Sequence, residues 1–131
     1  MFLGLRTLED LPFEGKRVIV RVDLNSEIHR GKIMFSERLT APLETIRYLQ
    51  KKNCRIVLLA HQGRKGSMDC ISLKQHAKII NRYLKVKFVN DTIGEKAVEA
   101  IHNLKPREVL LLENVRFLKD EFDLKGKNKI V

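Results

Sequence analysis

Valine and isoleucine alternate with arginine in RVIVRVDLN, residues 17 to 25, with Val18, Val20 and Val22 on one side of a period of two and Arg17, Ile19 and Arg21 on the other. That period predicts a β-strand. After it, Gly31 marks a turn, and Lys32 to Phe35 is expected to pair briefly as an edge extension. The period then changes. From Ser36 to about Lys52, the residues Leu39, Leu43, Ile46 and Leu49 recur every three or four positions, which is one face of an amphipathic helix with Ser36 as its N-cap. Pro42 falls beyond the first turn, where its missing N–H and its ring predict a kink near residues 38 to 41.

RIVLLA at 55 to 60 is continuously apolar, as expected of a strand covered on both faces of a parallel sheet. A helix follows at about 72 to 84, opened by Ser72 with Gln75 three residues on as a capping box, and turning Leu73, Ala77, Ile80 and Leu84 inward. VKFVN at 86 to 90 reads as a third strand, and Ile93, Ala97, Ile101 and Leu104 as the apolar stripe of a helix over 93 to 104, ended by Lys105-Pro106. EVLLLEN at 108 to 114 is a fourth strand, and the charged KDEFDLKGKNKIV lies beyond Phe117. Strands separated by helices of this length predict βαβ crossovers. The expected fold is therefore α/β, a parallel sheet with helices on both faces in a three-layer αβα, Rossmann-like arrangement. No internal repeat, low-complexity segment or domain boundary interrupts it.

Each strand ends in polar residues: VDLN, LLAHQGR, FVND and LLENVR. In an open parallel sheet these ends share one edge, and ligands bind in the crevice outside it. Asp23, Asn25, His61, Arg64, Asp91, Glu113, Asn114 and Arg116 are placed on that rim, with Arg38 reaching it from the first turn of the kinked helix. A single Asp or Asn there is more often a turn cap, because Asx side chains bond their own backbone. Three guanidiniums are different. Arg38, Arg64 and Arg116 on one rim repel each other unless an anion lies between them, and the guanidinium fork suits carboxylate and phosphate. HQGRKG is neither a Walker A loop nor a dinucleotide fingerprint, since Gly63 and Gly66 are too close and Lys65 precedes the second glycine. Glycine at 63 is expected to let the backbone approach an anion.

Composition narrows the choice of anion only a little. The 131 residues are 44% hydrophobic, enough for one ordinary domain, and carry 26 basic against 16 acidic side chains, a net +10. The basic residues are spread along the chain without interleaved aromatics, so nucleic acid ranks behind a small phosphorylated or carboxylated ligand. Cys54 and Cys70 are too few and too far apart for a disulfide framework or a CxxC metal site, and are expected to be reduced thiols. The first residues lack the apolar core of a signal peptide, and no apolar run approaches the roughly 18 residues of a membrane span. A soluble, cytoplasmic protein is expected.

RVIVRVDLN, SERL, LLAHQGR, SLKQHA, FVND and EVLLLENVRF, in this order and spacing, resemble the amino-terminal, substrate-binding domain of phosphoglycerate kinase, in its archaeal version. The resemblance covers nearly the whole chain. It implies reversible phosphoryl transfer between 1,3-bisphosphoglycerate and ADP, giving 3-phosphoglycerate and ATP, in glycolysis and gluconeogenesis. By resemblance, the Asp23-Leu24-Asn25 segment holds the carboxylate and hydroxyl end of the substrate through Asp23 and Asn25. His61, Arg64 and Arg116 hold the phosphate, assisted by the backbone of Gln62 and Gly63, and Arg38, the catalytic candidate, faces the transferring phosphoryl group. Ser26-Glu27 and Lys65 stand where the family commonly has proline, both in loops. The resemblance further implies that residues 1–131 form an incomplete amino-terminal domain. Mg-ATP or Mg-ADP would be bound by a nucleotide domain absent from this sequence, and no cofactor or metal is expected here. The chain is expected to be inactive in isolation, with 3-phosphoglycerate or 1,3-bisphosphoglycerate as its partner and no membrane partner; no oligomeric state follows. The alternative is a non-catalytic anion- or RNA-binding module on the same fold.

Overall fold

Alternation in the first apolar run produces a strand, β1, over Arg17–Arg21, shorter than the 17–25 segment because Val22 makes one last bond, from its N–H to the Leu59 carbonyl at 2.9 Å, before the chain turns away. A computed structural model describes residue 12 and residues 14–118 of the chain. The KDEFDLKGKNKIV segment, residues 119–131, therefore lies outside the described residues.

The four main strands pair in parallel in the order β1-β4-β6-β5, with β4 at Arg55–Leu59, β5 at Lys87–Phe88 and β6 at Val109–Leu111. The continuously apolar β4 and β6 are the two central strands, buried on both faces as their composition requires. On one face, α1 (Leu43–Lys51) and α2 (Lys74–Ile80) pack Leu43, Ile46, Leu49, Ala77 and Ile80 against Ile56, Leu58, Val109 and Leu111. On the other, α3 (Glu95–His102) lays Ala97 and Ile101 over Val57 and Leu110. This is the three-layer α/β arrangement that the alternating strands and helices predict.

Four local expectations are corrected. Lys32 to Phe35 does not extend the sheet: only Lys32–Ile33 (β3) pairs, antiparallel with Ile28–His29 (β2), in a separate hairpin. The single kinked helix over 36–52 is two pieces. Ser36 caps a 3-10 turn over Glu37–Leu39, accepting from the Arg38 N–H at 3.3 Å, and α1 begins afresh after Pro42. Proline cannot continue a helix but fits its start, where its missing N–H has no intrahelical partner to lose. The Ser72–Gln75 capping box does not form. Gln75 instead takes the Ile33 N–H at 2.9 Å and donates to the Gly31 carbonyl at 3.0 Å, so its side chain ties α2 to the hairpin. Ile93 is 58% exposed and precedes α3, since the helix starts only after Gly94. Among the described residues no helix is long and apolar enough to cross a membrane, and neither cysteine is in a disulfide.

Candidate functional site

Strand order decides which loops meet at the carboxyl edge. β1, β4 and β6 are consecutive neighbours, so the loops at 22–27, 60–73 and 112–116 stand side by side, and the loop after β5 adjoins the last of them on the side away from β1, the Glu113 N–H donating to the Asp91 carbonyl at 3.1 Å. Asp91, in that last loop, engages its carboxylate at the start of α3. Its carboxylate accepts from the N–H groups of Thr92 (2.9 Å), Gly94 (3.2 Å) and Ala97 (2.9 Å), closing the start of α3. Those backbone bonds, the one from Ala97 foremost, hold its pKa below the ordinary carboxylate value.

Glu113 and Asn114 are also structural. Glu113, 4% exposed, accepts from the Ser72 hydroxyl and the Leu73 and Asn114 N–H groups, each at 2.8 Å, and so caps the entry to α2. Asn114, fully buried, donates to the carbonyls of Gln62 (2.9 Å) and Ile71 (2.8 Å) and accepts from the Gln62 N–H at 3.2 Å. Its Oδ1 also receives the Arg116 N–H at 2.9 Å, capping the 3-10 turn Val115–Phe117 that carries Arg116. Both residues thus shape the loops without presenting a group to a ligand.

What remains at the edge is a recess of about 410 Å³ lined by Asn25, His61, Gly63, Arg64, Ser67, Asp69 and Arg116. Two arginines and a histidine share its lining with a single acidic residue, Asp69, and its volume suits a small anion. Asn25 is fixed by its own loop: Oδ1 accepts the Gly63 N–H at 2.8 Å, while the Asn25 N–H bonds Asp23 Oδ1 at 3.1 Å. Its Nδ2 remains a donor without a partner among the described residues. Gly63 therefore spends its N–H on Asn25 rather than on a ligand, and the reason for glycine differs from the one expected. At φ +72° a Cβ would stand 2.4 Å from the carbonyl carbon of Asp69, so the 61–63 and 69–70 segments cross too closely for a side chain.

Asp23 and Arg38 sit beside this recess rather than in it. Arg38 lines an adjoining hollow of about 440 Å³ with Met34, Phe35 and Ser36, and Asn25 and Asp69 form the wall common to both. Its Nη1 donates to the Asn25 carbonyl at 3.0 Å and lies 3.8 Å from Asp23 Oδ1. Both side chains of that pair are more than half exposed, which limits such a pair to about 0–1 kcal/mol and leaves the arginine able to turn to another partner. Leu24 is fully buried in the core and Gln62 is 1% exposed, so neither side chain lines the site. Sequence reasoning missed Ser67 and Asp69. The Ser67 hydroxyl accepts from the N–H groups of Arg64 and Asp69, both at 3.3 Å, folding the loop so that Asp69 returns to the recess. A serine two residues before an aspartate in a glycine-bearing loop was the available signal. No group of three or more His, Cys, Asp or Glu among the described residues could hold a metal ion.

The family model for phosphoglycerate kinase matches residues 8–130. The chain belongs to the phosphoglycerate kinase family. Phosphoglycerate kinases of Sulfurisphaera tokodaii and Methanopyrus kandleri are each 42% identical to it, over 91% and 92% of this chain respectively. In each case the chain spans only 30% of the length of the curated relative. The crystal structure of phosphoglycerate kinase from Pyrococcus horikoshii OT3 superposes with a TM-score of 0.85 at 40% identity, covering 96% of this chain and 31% of that one. The Coxiella burnetii phosphoglycerate kinase superposes at 0.72 with 31% identity, over 88% of this chain and 29% of that one.

Proposed function

We propose that the chain provides the phosphoglycerate half-site of a phosphoglycerate kinase, binding 3-phosphoglycerate or 1,3-bisphosphoglycerate at the carboxyl edge of its sheet. The observation that carries this reading is the shared recess of His61, Arg64 and Arg116, with Asn25 as an amide donor on the same wall. In it, Arg64 and Arg116 neutralise the phosphate, each able to give two parallel N–H bonds to its oxygens. Asn25 and Asp23 address the hydroxyl and carboxylate end. Arg38, held loosely by Asp23 and the Asn25 carbonyl, turns to the acyl-phosphate end, where an arginine fork spreads the charge of the transferring group. Mg-ATP would supply the phosphoryl group to 3-phosphoglycerate and Mg-ADP would accept it from 1,3-bisphosphoglycerate, while these residues bind and orient the triose. On this reading residues 1–131 are the amino-terminal part of the substrate domain. The chain alone binds its ligand without turning it over.

Titration of the chain with 3-phosphoglycerate, followed by calorimetry and by the His61 and arginine side-chain NMR signals, tests the reading. Saturable binding is expected, and Arg64→Ala should weaken it by at least about tenfold, the effect of losing a charge-assisted pair. Lys105→Ala, at the opposite edge of the sheet, should leave it unchanged. Equal losses in both variants, tracking total charge, would overturn the assignment.

A further inference from the structure

The recess is built on loops, yet its two walls are joined by a buried bridge that touches no ligand position. Gln62 lies between two lining residues, His61 and Gly63, with its own side chain turned into the protein. Its amide makes a closed pair with the backbone of Ser26: Oε1 accepts the Ser26 N–H at 2.8 Å and Nε2 donates to the Ser26 carbonyl at 2.9 Å. Together with the Gly63 N–H on Asn25 Oδ1, three bonds hold the 23–27 loop to the 61–63 loop.

Behind this amide stands His76 of α2, fully buried, with Nε2 2.9 Å from Gln62 Oε1. Because Oε1 is already the acceptor for Ser26, Nε2 must carry the proton, which makes the ring a neutral donor. Burial lowers its pKa to about 4, consistent with that state. Nδ1 is then a buried acceptor with no hydrogen-bond partner. An aliphatic side chain could fill this space without leaving a polar atom unsatisfied, so packing alone does not account for an imidazole here. What the ring adds is a second donor on Oε1 that reinforces the amide orientation set by Ser26; a flipped amide would set Nε2 against both the Ser26 N–H and the His76 donor, and Oε1 against the Ser26 carbonyl.

We propose that His76, acting through the Gln62 amide, is a positioning residue for the anion recess, locking the 23–27 and 61–63 loops at the separation that brings Asn25 and His61 to one ligand. The ligand part of this inference rests on the half-site reading above. The locking part does not.

Two readouts on the full chain separate them. In the absence of ligand, hydrogen exchange at the Gly63 amide reports whether that N–H stays on Asn25. Gln62→Leu and His76→Leu should both deprotect it by roughly tenfold or more, while His76→Gln, which keeps a donor near the Nε2 position, should retain protection. With 3-phosphoglycerate, the first two variants should bind roughly tenfold more weakly and His76→Gln within about threefold of the parent. Nitrogen-detected NMR should show the proton of His76 on Nε2. Should His76→Leu fail to fold, Gln62→Leu and His76→Gln still divide the outcomes. Parental Gly63 protection in Gln62→Leu, or a proton on Nδ1 of His76, would overturn the proposal. If the parent chain does not bind 3-phosphoglycerate, the half-site reading falls and the Gly63 exchange decides the lock by itself.

Discussion

His76 also makes the chain acid-sensitive. Its pKa is about 4 in the folded protein against 6.5 when solvated, so between these values the unfolded chain takes up a proton that the native one refuses. Stability from this residue is complete above the ordinary value and is lost as pH falls through the window from 6.5 towards 4. Between pH 7 and pH 5 the loss is about 2 kcal/mol, from the linkage relation at 1.36 kcal/mol per unit. Urea unfolding at the two pH values should show it, and His76→Gln should remove most of the difference. Other residues were legible in sequence only as types. Arg64 and Arg116 could be nominated because guanidiniums gathered on one rim repel each other unless an anion lies between them. Asp91, Glu113 and Asn114 could not be told from ligands, since a carboxylate or amide that caps a helix and one that binds a substrate carry the same letters. Which backbone N–H lies within 3 Å of each is a property of the folded loop.

At the scale of elements, α3 depends on a residue outside it. Its N-cap, Gly94, has no side chain to offer, and a Cβ there would stand 2.7 Å from the Asp91 carboxylate that does the capping. Asp91→Ala leaves three N–H groups without their acceptor and should cost about 1–2 kcal/mol, read from urea midpoints at pH 7. Because the native pKa of Asp91 is depressed, the parent's advantage should be full above the ordinary carboxylate range and vanish as pH falls through the native value. Asp91→Asn should recover part of it. The period of three to four located all three helices, and Pro42 marked where the first is disturbed, but nothing local showed that Gln75 leaves its cap for the hairpin. That choice was made by neighbours some forty residues away in the chain, Gly31 and Ile33.

Taken as a whole, the molecule leaves one face of β1 uncovered among the described residues. Ile19 pairs in register with Val57, on the side that α3 covers over β4 and β6, yet it is 64% exposed between Arg17 and Arg21. An apolar residue on an exposed edge strand favours association, whereas the flanking arginines and the net charge of +10 oppose it. Salt decides between them. The Debye length shrinks from about 30 Å at 0.01 M to about 8 Å at 0.15 M, so sedimentation should show monomer at low salt and growing self-association as salt rises. Ile19→Lys should keep the chain monomeric throughout, with stability changed by no more than about 0.5 kcal/mol.

Periodicity alone was sufficient for the layers: runs such as RIVLLA and EVLLLEN can only be buried on both faces, and helices between parallel strands must lie over the sheet. The order β1-β4-β6-β5 was decided by tertiary packing. That order sets the ends of β1, β4 and β6 in a row with β5 beyond them, so Asn25, His61, Arg64 and Arg116 line one recess while Asp91, after the edge strand β5, caps the adjoining α3. Strand order is a property of non-local contacts, each setting apolar area buried against polar groups left unpaired, and no local stretch of sequence encodes that balance.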